Sequence, residues 1–398
     1  MGEWKNVRLG ELGKIITGKT PKTSISDNYG GRIPFLTPSD NMSVKYVGKT
    51  SKTLTEKGLL EVKNAILPEN SVCVSCIGSD LGKAVITTCP TVTNQQINSI
   101  IVDEKSFDVS FVYYAMQILG KKMNFISKTS TAVPIVNKSS FSSYEIKCPP
   151  REDQKRIAAV LSALDSKIEC NKKINDNLEQ QAVALFKSWF VDFSLFGGTV
   201  PENWEDTTLE NITTLITRGI APKYSNDSDQ TVINQKCIRN HTIDLSLARS
   251  HTPKAINEKW LQFGDLLINS TGDGTLGRVA QVWFTPKSLT VDSHVTIVRP
   301  AREELIFYIG LWGILHEKEI ESLHTGSTGQ TELPRDRVKM LKLLLPDNIS
   351  LSRFNSIIAP MASTIISNQE ENQKLANLRD TLLPKLMSGE IDVSDIQL

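Results

Sequence analysis

The sequence predicts a mixed α/β chain in which two similar globules alternate with two long helices. Three observations predict it. The 398-residue chain repeats itself at a period near 200 residues. Two long segments carry the same apolar seam at coiled-coil spacing. The stretches between them hold short apolar or β-branched runs bounded by Gly, Pro, Asn and Asp.

The repeat is read motif by motif. Trp4, Leu9, Ile16-Thr17 and Pro21 return as Trp204, Leu209, Ile216-Thr217 and Pro222. Gly78-Ser-Asp-Leu81-Gly82-Lys83 returns as Gly272-Asp-Gly-Thr-Leu276-Gly277-Arg278, with one residue inserted. Ser130-Thr131 ahead of Asn137-Lys138 returns as Ser327-Thr328 ahead of Pro334-Arg335. Each copy then reaches proline (Pro149-Pro150, Pro346) and enters a helical segment.

The helical segments match without gaps at a shift of 197 residues. Ile157, Leu161, Leu164, Ile168, Asn171, Asn175, Leu178, Ala182, Leu185 and Trp189 keep a 4-3-4-3 spacing. Phe354, Ile358, Met361, Ile365, Asn368, Asn372, Leu375, Arg379, Leu382 and Leu386 repeat it. This narrow stripe is a coiled-coil seam rather than the wider face of a globular helix. Both copies interrupt it with two asparagines at the same places, and polar seam positions fix register at a cost in stability.

Between the helices, Ser71–Ser75, Ala84–Thr87, Ile97–Val102 and Asp265–Asn269 read as strands. One helix is expected in each globule, near Val109–Leu119 and Leu305–Glu321. The predicted order is a globule over 1–150, a helix over 151–196, a globule over 197–346 and a helix over 347–398. Phe196-Gly-Gly through Pro201 is the clearest linker.

Composition narrows the function classes. Hydrophobic residues make up 39% and charged residues 22%, which suits a globular chain. No apolar run is long enough for a membrane span, and the N-terminus shows no leader pattern. The expected location is therefore the cytoplasm. The six cysteines have no framework spacing and fit that compartment. Net charge is +1, but residues 1–150 hold 18 Lys/Arg against 12 Asp/Glu, while residues 196–346 hold 16 against 18. Phosphate neutralisation drives most non-specific DNA affinity. So balanced a chain should grip DNA weakly alone and need a partner.

Several motifs suggest chemistry and fail on context. Gly13-Lys-Ile-Ile-Thr-Gly18-Lys19-Thr20 fits the phosphate-loop pattern, which works only between a buried strand and a helix N-terminus. Val7–Leu12 is a poor buried strand, Lys22–Gly31 reads as loop, and the second copy lacks the pattern. Asp40 with Glu61-Val-Lys63 has the loose spacing of a metal-dependent nuclease site, but the second copy has Asn240 and no matching Glu-x-Lys. Cys73-Val-Ser-Cys76 lacks a second ligand pair and reads as core thiols on a strand. The five histidines form no metal spacing, and no methyl-donor loop follows a strand. No catalytic residue, metal or cofactor is assigned to this chain.

What remains is polar loop chemistry suited to base edges: Arg for guanine, Asn and Gln for adenine, Ser and Thr for either. The candidates are Thr37, Ser39, Asp40 and Asn41; Lys128, Ser130 and Lys138 of the 127–138 loop; Arg218 and Lys223; Lys236, Arg239 and Asn240; Thr271 and Asp273; and Ser327, Thr328, Gln330 and Arg335 of the 325–337 loop. Loops on a rigid scaffold are where recognition usually sits.

Trp4-x4-Leu9-Gly-Glu, Gly18-Lys-Thr-Pro21, Gly30-Gly-x-Ile-Pro-Phe35, Asn94-Gln-Gln96 and Pro149-Pro-x-x-x-Gln154 resemble type I restriction–modification specificity subunits. So do Gly219-x-x-Pro222, Thr325-Gly-Ser-Thr-Gly-Gln330 and Pro384-Lys-Leu-Met-Ser-Gly-Glu-Ile391. The resemblance covers essentially the whole chain. It implies two target-recognition domains, each reading one half of a bipartite DNA site, and two helices paired antiparallel as a spacer with pseudo-twofold symmetry. It implies two methyltransferase subunits using S-adenosylmethionine, and restriction motor-nuclease subunits using ATP and magnesium, with all cofactors on the partners. Two other readings are carried: a coiled-coil scaffold with two globules that bind no nucleic acid, and a P-loop NTPase. DNA binding separates the first from the family reading, and ATP turnover by the purified chain separates the second.

Overall fold

The β-branched runs fold as strands. The computed structural model describes residues 3–78, 80–128, 136–326 and 331–397. The chain divides into two compact units, Met1–Cys170 with Glu371–Leu398, and Asn171–Glu370.

In the first unit a five-stranded sheet has the order Gly13–Thr17, Ile97–Val102, Ser71–Ser75, Ala84–Thr87, Tyr46–Val47. The first four strands pair antiparallel and the last is parallel to its neighbour. Alternation sends Val72, Val74, Ala84 and Ile86 to one face and Cys73 and Val85 to the other. Both faces are covered, so these strands read as continuous apolar runs. The helix Val109–Lys128 packs Phe111, Tyr114 and Ala115 on the first face. A four-stranded sheet (Lys52–Leu54, Tyr29–Leu36, Thr91–Thr93, Ile66–Leu67) contributes Leu36 and Leu67 to the second. That helix runs nine residues beyond the expected Leu119. Its last turns expose Phe125 and Ile126, so the apolar periodicity stops before the helix does.

The second unit repeats this plan. Thr213–Arg218, Val295–Pro300, Leu266–Asn269 and Val279–Gln281 form the antiparallel sheet in the same spatial order. Thr231–Ile233 lies parallel to Leu289–Val291, as Tyr29–Leu36 lies parallel to Thr91–Thr93. The short edge pair Lys5–Arg8 with Glu145–Cys148 returns as Glu205–Thr208 with Lys342–Leu345. The helix expected over Leu305–Glu321 is two helices, Ile306–Leu315 and Glu317–Ser322, broken at His316. There the imidazole turns back to the Trp312 carbonyl, 2.8 Å away, and stacks on its indole.

The repeated Leu-Gly-Lys/Arg motif has a steric cause. Gly82 has φ +89°, and a Cβ there would lie 2.2 Å from the Gly120 carbonyl oxygen. Gly277 has φ +82°, and a Cβ there would lie 2.6 Å from the Glu321 Cα. In each unit a tight turn leaves the sheet directly beneath the covering helix, and only glycine fits.

The long helices are Arg151–Phe190 and Asn348–Ser388. In the first unit, Ile157 and Leu161 share a core with Leu383, Leu386 and Met387, and Asp165 pairs with Arg379 at 2.9 Å. In the second unit, Asn175 meets Ile365 and Asn368, while Phe186, Trp189 and Phe190 pack on Phe354. Within each unit, rising numbers on one helix meet falling numbers on the other, so the pairing is antiparallel. Every seam position is buried or half-buried: Ile157, Leu161, Leu164, Ile168, Asn171, Asn175 and Leu178 on one helix, Phe354, Ile358, Met361, Ile365, Asn368, Asn372 and Leu375 on the other. The compact units therefore cut across the linear order of four segments, because each globule takes in the near ends of both helices.

Candidate nucleic-acid interface

The ends of five chain segments converge at one end of the first sheet. The strand Gly13–Thr17 leaves it at Gly18, whose N–H donates to the Ile97 carbonyl. A Cβ on Gly18 would lie 2.2 Å from the Asn94 carbonyl oxygen, so the two segments touch backbone to backbone. The Leu36 carbonyl accepts from Asn94 N–H, and Thr37 follows directly. Cys76 N–H donates to the Gln96 carbonyl, and Val136 N–H to the Cys76 carbonyl, which brings in the segment that opens the short helix Lys138–Ser143. Asn94–Gln96 forms the tightest part, an Asx turn in which the Asn94 side-chain oxygen accepts from Gln96 N–H at 3.1 Å.

Five backbone bonds recur in the second unit. Gly219 N–H donates to the Val295 carbonyl, Asp292 N–H to Ile233, Val295 N–H to Asp292, Ser270 N–H to His294, and Leu333 N–H to Ser270. A Cβ on Gly219 would lie 1.9 Å from the Val291 carbonyl oxygen. Asp292 closes the same Asx turn, accepting from His294 N–H at 2.9 Å. Burial raises the Asp292 carboxyl above its ordinary range, opposed by that N–H and by nearby His294.

The structure gathers some candidates here and not others. Thr37, Ser39 and Asn41 sit on the turn after Leu36, and Lys138 opens the short helix, exposed. The turn satisfies itself: the Thr37 hydroxyl meets Ser39 at 2.7 Å, and Asn41 accepts from Ser43 N–H. Burial would raise the Asp40 carboxyl, but N–H and hydroxyl donors from Ser51 and Thr37 outweigh it and hold it low. In the second unit Arg218, Lys236, Thr271 and Arg335 reach the equivalent end. Arg218 is bound to Glu332 at 2.6 Å and to the Leu333 carbonyl, and shares a cleft with Lys259 and Arg335. Thr271 meets His294 at 2.7 Å, and Asp273 is exposed on the following turn.

Three candidates lie elsewhere. Lys223 belongs to a segment beside Thr252. Arg239 and Asn240 stand on a hairpin, Ile238–Arg239 with Thr242–Ile243, that packs on the sheet's edge strand Val279–Gln281. Asn240 and His241 have φ +50° and +59°, so Asn240 serves the turn itself. Ser130, Ser327, Thr328 and Gln330 lie outside the described residues. Lys128 ends its helix, and its side chain also lies outside them. The sequence reading passed over Asn94–Gln96 as site residues and missed Asp292–His294.

The structure also accounts for the motifs that resembled enzyme sites. Gly13–Thr17 is a strand paired antiparallel with Ile97–Val102, and no helix opens directly after Lys19. Glu61 accepts from Lys22 N–H and Asp40 from Ser51 N–H, each carboxylate engaged by the backbone of another segment. Cys73 and Cys76 fall in different core clusters, and burial pushes the Cys73 thiol up to about 12. Among the described residues no His/Cys/Asp/Glu group is arranged to hold a metal, and no helix is long and apolar enough to cross a membrane.

Residues 1–180 match the family model described as the type I restriction modification DNA specificity domain. The chain is 27% identical to the type I restriction enzyme MjaIX specificity subunit of Methanocaldococcus jannaschii, over 99% of this chain and 95% of that one. It is 33% identical to the HindI specificity subunit of Haemophilus influenzae, over 44% of this chain and 39% of that one. The crystal structure of a type I restriction–modification S subunit from M. genitalium superposes with a TM-score of 0.57 at 16% identity. It covers 97% of this chain and 96% of that one, and shows a shared fold.

Proposed function

We propose, for a chain that belongs to the type I restriction–modification DNA specificity family, that it is the sequence-reading subunit of such a complex. It selects the target and leaves the chemistry to its partners. One observation supports this above the others: two sheet ends with the same backbone bonds carry different exposed side chains. That is the arrangement needed to read two different half-sites with one scaffold.

In this reading each globule faces double-stranded DNA with its convergent sheet end, one globule per half-site. The helices serve as the spacer and as the surface that two methyltransferase subunits grip. S-adenosylmethionine belongs to those subunits, and ATP and magnesium to restriction motor-nuclease subunits. The near-neutral charge supports the need for partners, since few phosphates can be neutralised by this chain alone.

The test is methylation mapping in a host that expresses this chain with its methyltransferase. Residues 1–150 are exchanged for the first domain of another specificity subunit. One half of the methylated sequence should change and the other stay fixed. If both halves changed together, the assignment of one globule to each half-site would fail. If no fixed sequence were methylated by the parent complex, the DNA-reading role itself would fail.

A further inference from the structure

The structure assigns base reading to the two Asx turns, through Gln95 and Gln96 in the first unit and His294 in the second. This rests on the DNA-reading role proposed above and names residues that carry it.

The first ground is rigidity. Each turn is held by an Asx bond, by one backbone bond within itself, by three backbone bonds to neighbouring segments, and by a glycine (Gly18 or Gly219) pressed against it with no room for a Cβ. The backbone bonds match one for one between the units. Binding costs least when the recognising groups are already fixed, and sites on such supports are the precise ones.

The second ground is that the side chains are tethered although they are exposed. The Thr20 hydroxyl donates to the Gln95 side-chain oxygen at 2.6 Å. The Asn94 amide donates to the Gln96 side-chain oxygen at 3.0 Å. The Thr271 hydroxyl meets His294 Nδ1 at 2.7 Å, leaving Nε2 as the remaining hydrogen-bonding atom of the ring. A surface glutamine ordinarily keeps its rotamer freedom, which it would lose on binding. Here much of that ordering has already taken place in the free protein.

The third ground is the difference between the copies. The same backbone presents Gln-Gln in one unit and Ser-His in the other. A turn needed only for the fold would have no use for tethered polar groups of differing chemistry. A glutamine amide pairs its oxygen and nitrogen with the N6 and N7 edge of adenine in the major groove. The first turn therefore reads adenine, and His294 donates to or accepts from a base edge of the other half-site. Lys19 and Lys138 near one turn, and Arg335 near the other, are placed to meet phosphates.

The experiment uses the full chain in complex with its methyltransferase. The variants are Gln95→Ala with Gln96→Ala, the isosteric Gln95→Glu, and His294→Ala, each checked for an unchanged unfolding midpoint. Methylated motifs are mapped by single-molecule sequencing. The double alanine variant should lose roughly tenfold to a hundredfold of its preference for adenine at one or two positions of one half-site. The other half-site should keep its preferences. Gln95→Glu should move preference away from adenine, since a carboxylate accepts from cytosine N4 instead. His294→Ala should relax only the opposite half-site. Unchanged motifs, or a uniform fall in methylation with base preferences intact, would overturn the assignment. A wild-type complex that methylates no fixed sequence would refute the underlying role instead.

Discussion

Asn175 and Asn368 offer a test in which one and two substitutions act in opposite directions. The Asn368 amide donates to the Asn175 side-chain oxygen at 2.8 Å, and the Asn175 amide reaches the Ile365 carbonyl at 3.4 Å. Asn175 is only 7% exposed. Asn175→Ala removes the acceptor and strands the Asn368 amide in the seam, at a cost of about 1–2 kcal/mol. Replacing both asparagines with leucine leaves no stranded group. Two half-buried to buried leucines contribute about 3 kcal/mol, and overpacking returns about 1–2 kcal/mol. The double variant should therefore gain about 1–2 kcal/mol. For a unit of about 200 residues, 1 kcal/mol moves the midpoint by about 2–4 °C. Scanning calorimetry should show the alanine variant melting a few degrees lower and the double leucine variant a few degrees higher. Sedimentation should show self-association of the leucine variant, because the register constraint is weakened to Asn171 and Asn372. A double variant less stable than the single one would refute the pairing of these two side chains in the seam.

Other perturbations follow from particular contacts. Asp165 accepts from the Arg379 guanidinium and from the Tyr114 hydroxyl, so Asp165→Ala takes the acceptor from the phenol and leaves the half-buried guanidinium with Asp380 alone; about 1–2 kcal/mol should be lost. Arg379→Ala added to it should cost little more in a double-mutant cycle. Gly277→Ala should lower stability by more than about 2 kcal/mol, since the residue is left-handed and its new Cβ meets Glu321 backbone, and circular dichroism melts would show it. Burial would raise the Asp347 carboxyl, but donors from Ser350, Trp204 and Ile349 hold it at about 2 against an ordinary 3.8. A depressed carboxyl stabilises fully above its unfolded value and loses that contribution as pH falls through the folded one. The stability gap between wild type and Asp347→Ala, about 1 kcal/mol near neutrality, should therefore shrink between pH 4 and pH 2 in acid titrations.

The helical seam and the internal repeat were both legible in the sequence, for local reasons. A seam is set by spacing along one helix, so Ile157 to Trp189 can be read without knowing what they touch. A duplication is a comparison of the chain with itself, and the strands Ser71–Ser75 and Ile97–Val102 fall where their bounding residues placed them. The phosphate-loop lookalike shows the limit of such reading. Gly13 to Thr20 has the right letters, and only its pairing with Ile97–Val102 makes it a sheet strand.

The two Asx turns were decided by tertiary structure alone. Gly18 and Asn94 are far apart in sequence, and the sheet presses their backbones together. Asp292 and His294 carry no local signal that separates them from an ordinary loop. The compact units were likewise invisible to a linear reading. The spacing shows that the helices have seams, but not which end of one meets which end of the other. Antiparallel pairing brings Leu383 and Leu386 into the core that holds Ile157 and Leu161, so the last residues of the chain complete the unit formed by the first. An apolar stripe specifies that it must be buried, and the geometry of its partner determines where.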